Sequence, residues 1–186
     1  MGLSMESMAI EMPAVKGHPN RAGFRGVLTV VDAASDKSPS GARGHRVLLT
    51  RKAAEEALPS LLGMALDYSP ALDRHDARRK IGVITRAEIV GRQIEVSGFL
   101  YERDFPEIVA EIGQESAGTP RARGREGQRK GNRLGRGGLG MSYEIADAVV
   151  EDIKASVWVL NRVTFTGAAI LRRDKAAYGS TWIELT

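Results

Sequence analysis

Apolar and polar positions alternate between two kinds of pattern along the chain. Phe24 to Asp32 (FRGVLTVVD) is a β-rich run, and Ser35 to Gly44 (SDKSPSGARG) after it has the composition of a turn-rich loop. Arg46 to Leu49 predicts a short strand. Thr50 then stands where an N-cap would open a helix from Arg51 to about Leu58. Ala54, Ala57, Leu58, Leu61 and Leu62 recur at helical spacing, with Pro59 placed to kink or restart the helix. Lys80 to Ile89 and Gln93 to Tyr101 predict two strands joined at Val90-Gly91-Arg92. In the second, Ile94, Val96 and Gly98 share one face, as in a half-buried antiparallel strand.

Asp104-Phe105-Pro106-Glu107 has the early proline and first-turn acids of a helix start, and the helix runs to about Glu115 with Ile108, Val109 and Ile112 on its apolar side. Two more strands follow, Leu139 to Val149 and Ser156 to Phe165, then a helix at Arg172 to Tyr178 and a short strand at Thr181 to Leu185. There is no internal repeat. The expected fold is mainly β (α+β), an antiparallel or mixed β-barrel-like sheet flanked by a few helices. Residues 1–21 are expected to form a flexible N-terminal segment and residues 22–186 a single domain.

Composition adds two constraints. The chain has 186 residues, enough for one domain with its own core, and no cysteine, which excludes disulfides, thiolate metal sites and a cysteine nucleophile. The first residues carry Glu6 and Glu11 rather than a basic start before an apolar run, and no apolar stretch approaches the ~20 residues that span a bilayer. The expectation is an intracellular chain with no membrane contact. Its net charge of +4 is concentrated. Between Ala117 and Gly138 lie Arg121, Arg123, Arg125, Arg129, Lys130, Arg133 and Arg136 against the single acid Glu126, so the remainder is slightly acidic. This Gly/Arg-rich stretch, 117–138, has no periodicity and is expected to be a mobile surface loop.

Histidine is scarce: His18 sits in a Gly-His-Pro-Asn turn, His45 follows a glycine-rich loop, and His75 lies in LDRHDARRKIGVI where a loop enters a strand. Most histidines so placed are ordinary loop residues. The three lack a metal-ligand spacing such as HExxH, so neither a metal nor another cofactor is expected. Ser142, in LGMSYEIAD, lies inside a strand with Gly137, Gly138 and Gly140 before it. A serine hydroxyl becomes a nucleophile only with a base in hydrogen-bond reach.

The order FRGVLTVVD, LDRHDARRKIGVI, IEVSGFLYERDFPEIVAEI, LGMSYEIADAVVED and VWVLNRVTFTGAAILRRDKAAY resembles the tailed-phage prohead proteases, a family similar to the herpesvirus assemblins. The resemblance covers roughly residues 22 to 180, and its sharpest points are the His-Asp before an Ile-Gly strand and the Gly-x-Ser strand some 65 residues later. It implies an assemblin-like β-barrel with surrounding helices. It also implies a serine endopeptidase with Ser142 as nucleophile and His75 as base, cleaving scaffolding protein, major capsid protein and itself inside the immature prohead in the host cytoplasm. A homodimer is left open.

The third catalytic member departs from that pattern, because LNRVTFTG puts Arg162 where relatives carry histidine or glutamate. A cation cannot stabilise an imidazolium as a carboxylate does. Glu144, on the same strand face as Ser142, and Thr164 are the substitutes considered; Asp76 is adjacent to the base but directed elsewhere. The resemblance also offers Arg172 and Arg173, with Gly140, for the oxyanion or substrate, against the plainer reading of both arginines as solvated residues. The alternative is a catalytically inactive capsid-assembly or nucleic-acid-binding structural protein gripping phosphate through the basic loop. The loop has no aromatic side chain to stack on bases.

Overall fold

The computed structural model describes residues 7–13, 15–118 and 138–186. The expectation of a mobile loop at 117–138 falls, for 119–137, outside the described residues. The chain is mainly β. Among the described residues nine strands form one mixed sheet: β1 (Ser7–Ala9), β2 (Ala22–Val30), β3 (Arg46–Leu49), β4 (Ala65–Asp67), β5 (Lys80–Val90), β6 (Gln93–Leu100), β7 (Leu139–Val150), β8 (Val157–Arg172) and β9 (Trp182–Leu185). Helices α1 (Arg51–Ala57) and α2 (Pro106–Gly118) accompany it. Within the N-terminal segment expected to be loose, β1 pairs antiparallel with β5, Met8 opposite Ala87.

Strand β8 organises the sheet. Along one edge it pairs parallel with β3, Val47 opposite Trp158, and further on with β4, Leu66 opposite Ala168. Along the other edge it pairs antiparallel with β7. The sequence pattern ends this strand near Phe165 and starts a helix at Arg172; the structure corrects both. Val163, Phe165, Ala168, Ile170 and Leu171 are all buried, so the apolar run continues as strand to Arg172, and 173–180 forms turns. Side chains there alternate between faces: Ala168 and Ile170 join the main core, while Ala169 and Leu171 pack with Ala176 on the other side.

The expected helix from Arg51 is present and is capped as its sequence suggests, Thr50 Oγ1 accepting from the Ala53 amide at 3.2 Å. Ala53, Ala54 and Ala57 are buried, and their small side chains let α1 lie close on β8. Pro59 restarts the chain as one tighter turn, Leu58–Leu61, where Ser60 Oγ donates to Ala57 O and accepts from the Phe165 amide. Bulges interrupt β2, β5, β7 and β8 and increase local twist. The sheet curls into a half-barrel. Edge strand β7 thereby meets β2 and the entry to β9: a Cβ on Gly26 would lie 2.8 Å from Met141 Sδ, and the Met141 amide donates to Thr181 Oγ1 at 3.2 Å.

The β5–β6 hairpin is close-packed at Gly82 and Gly98. A Cβ on Gly98 would be driven into the carbonyl of Val83, a backbone atom that cannot turn aside. Gly98→Ala is therefore expected to destabilise the protein by about 2–3 kcal/mol, read as a lowered urea midpoint.

Candidate active site

The site lies on the face of β8 that carries Ala169. Asp67 of β4 is directly opposite Ala169 on one side, and Ser142 of β7 is directly opposite Ala169 on the other. Residues in one cross-strand row project to the same face, and neighbouring strands lie about 4.8 Å apart. Asp67 and Ser142 therefore flank the Ala169 methyl with roughly 10 Å between their backbones, room for one imidazole.

The imidazole of His75, carried by the loop between β4 and β5, approaches this row at Asp67 and makes no hydrogen bond to Ser142. The loop is tied to itself and to the sheet. Ser69, buried, donates from Oγ to Asp73 Oδ1 at 2.7 Å and accepts the Asp73 amide at 3.2 Å. Leu72 has a left-handed backbone (φ 51°), unusual for a branched apolar residue, and its carbonyl accepts from the Arg172 amide at 2.7 Å. The Asp76 carboxylate pairs with Arg78 and Arg79, while its amide donates to Asp67 Oδ1 at 3.1 Å.

Asp67 has no solvent exposure. Its Oδ1 lies 3.6 Å from His75 Nδ1 and its Oδ2 3.2 Å from Lys80 Nζ. Burial pushes its carboxyl upward, but His75, the Asp76 amide and Lys80 together outweigh it and hold Asp67 below the usual carboxylate range. The 3.6 Å contact is an ion-pair distance, longer than a hydrogen bond. A second carboxylate meets the same nitrogen: Glu144 Oε1 is 3.8 Å from His75 Nδ1, from a side chain about half exposed. Both ring nitrogens of His75 are buried without a hydrogen-bond partner among the described residues.

Of the residues singled out from sequence, His75 and Glu144 come together here, with Ser142 two residues from Glu144 on β7. Thr164 does not join them. It pairs opposite Ala146 and donates to Asp147 Oδ2 at 3.4 Å, five residues along β8 from Ala169 and so roughly 17 Å away. Arg162 lies farther still, opposite Val149. Arg172 Nε is 3.4 Å from Asp174 Oδ1. Arg173 Nε donates to Thr181 O at 3.1 Å and Nη2 to Leu139 O at 3.4 Å, a brace between β7 and the entry to β9. Gly140 sits inside that brace, where a Cβ would lie 2.7 Å from Thr181 Oγ1. His18 and His45 are engaged elsewhere, His18 with the Asn20 amide and His45 with Ala155 O and the stacked Trp158 ring. Among the described residues no group of three or more His, Asp or Glu is arranged to hold a metal ion.

Asp67 is the residue the sequence reading missed. Its signal was an acid inside an apolar stretch, Ala65-Leu66-Asp67-Tyr68, too short to read as a strand. No family model matches this sequence, and no curated protein matches it.

Because the folded-state pKa of Asp67 lies below its unfolded value of about 3.9, its charge stabilises the fold fully above about pH 4, and that contribution is lost as pH falls through the lowered value. Urea unfolding of wild type and Asp67→Asn should differ by about 2 kcal/mol at neutral pH. The gap should stay constant down to about pH 5 and close below about pH 4.

Proposed function

We propose that the chain is a serine endopeptidase of the prohead-maturation type, with Ser142 as nucleophile, His75 as general base and Asp67 as the residue that orients the base. The observation that carries this reading is the row Asp67–Ala169–Ser142 with a buried, unpartnered imidazole set against it. Leaving buried ring nitrogens unsatisfied costs about 1–3 kcal/mol, a cost readily explained if one nitrogen is kept for a reaction.

The chemistry follows from the two sides of the ring. With Nδ1–H directed at Asp67 on β4, Nε2 is the nitrogen left to take a proton; it makes no hydrogen bond to Ser142 in this structure, and substrate binding has to bring the two together. Nε2 takes the Ser142 proton as Oγ attacks a peptide carbonyl, then returns it to the leaving amine. Asp67, held ionised by Lys80 and the Asp76 amide, stabilises the imidazolium formed between those steps. Asp67 thus fills on β4 the place for which the later strand supplies only Arg162. The substrates proposed are the scaffolding protein, the major capsid protein and the chain itself, in the interior of an immature capsid.

Co-expression with the scaffolding and major capsid proteins of the same genome provides the test. Wild type should truncate them, and Ser142→Ala and His75→Ala should each lower the rate by at least ~10³, with the double variant no slower than either. Asp67→Asn should cost ~10²–10⁴ while Thr164→Val leaves the rate unchanged. Cleavage that survives Ser142→Ala, or intact substrates with every variant including wild type, would reject the reading and favour a non-catalytic capsid or nucleic-acid-binding protein.

A further inference from the structure

His75 Nδ1 carries at most one hydrogen, yet two carboxylates lie nearly equidistant from it, Asp67 at 3.6 Å and Glu144 at 3.8 Å. They stand on different strands. Glu144 belongs to β7, the strand that carries Ser142, whereas Asp67 belongs to β4, beyond β8. The two ring nitrogens point to opposite sides of the imidazole. Both distances belong to one orientation of the ring, so the Nδ1 hydrogen can be aimed at either carboxylate, and a ring drawn toward Glu144 stands differently toward Ser142 from one drawn toward Asp67.

Glu144 reaches this position because of the residue opposite it. Gly167 of β8 is its cross-strand partner, and a Cβ there would lie 2.7 Å from Glu144 Oε2 and 3.4 Å from Glu144 Cβ. The missing side chain leaves a trough across β8 in which the glutamate lies toward the imidazole. The other charged groups around the ring are Lys80, which is occupied with Asp67 Oδ2, and Asp76, which is turned to Arg78 and Arg79.

We infer that Glu144 is a positioning residue that competes with Asp67 for the Nδ1 hydrogen of His75 and holds part of the population in an unproductive ring orientation, with Gly167 providing the space for it. The inference rests on the peptidase reading for its consequence in rate but not for its structural content. Asp67 is rigid and buried. Glu144 is half exposed on a flexible side chain, so it is the partner that a bound peptide can displace. Substrate binding would then complete the catalytic geometry.

Two unrelated changes should act alike. Glu144→Ala removes the competing acceptor, and Gly167→Ala fills the trough and displaces the Glu144 carboxylate, a flexible end that can move at little cost. In a Ser142→Ala background, nitrogen-15 NMR of the imidazole should show the His75 Nδ1–H resonance moving downfield in both variants as the bond to Asp67 shortens. With Ser142 intact, both should lower KM about twofold or more at unchanged kcat, because a peptide that must displace Glu144 binds with an affinity reduced by the fraction of protein already free of that contact, whereas kcat is read after the displacement. A resonance that does not move in Glu144→Ala, or a KM that does not fall, overturns the inference. Should the resonance move in both variants while no form of the protein cleaves scaffold, the competition stands and the peptidase reading falls.

Discussion

A carboxylate with no access to water must be matched from inside the protein, and most of what surrounds the site answers to that requirement at Asp67. Burying an unpaired charge costs several kcal/mol, so the residue can be there only if its neighbours are held in place. Lys80 opens β5 directly opposite it, the Asp76 amide comes back on its loop, and His75 is carried between them. The loop between β4 and β5 is consequently shaped at both ends by one acid. Its left-handed Leu72 and the Ser69–Asp73 bonds are the local means of making the return.

The second determinant is small side chains on β8. Ala169 leaves a shallow floor between Asp67 and Ser142, and Gly167 leaves a deeper one under Glu144. Ala169 is fully buried, so a larger residue there would have to displace what covers it. The opposite face of the same strand, with Ala168 and Ile170, is core. One strand therefore both closes the hydrophobic interior and provides the surface on which the polar groups meet, through the alternation that every strand has.

The mainly β class, α1, α2 and the β5–β6 hairpin were legible because their periodicity is local. Thr50 could be recognised as a cap, and Pro59 as an interruption, from neighbours within a turn. The extension of β8 to Arg172 was not, since its apolar residues are buried on both faces and lose the alternation that marks a strand. His75, Ser142 and Glu144 stood out by type and order. Asp67 did not: its role depends on Ala169, 102 positions later, lying between it and Ser142. The bracing bonds of Arg173 were hidden for the related reason that its carbonyl partners, Leu139 and Thr181, are joined to it by folding rather than by spacing.

The central place of β8 also sets a timetable. Asp67 and Ser142 never touch the same strand until residues 168 and 169 are inserted between β4 and β7, and the parallel β4–β8 pairing closes a loop of about 100 residues. Local hairpins such as β5–β6 form early, and long-range parallel pairings form late. On a ribosome, a nascent chain that has already exposed His75 and Ser142 still lacks the strand that spaces them. The polar row is thus assembled only once β8 has emerged and paired, as the core it backs onto closes.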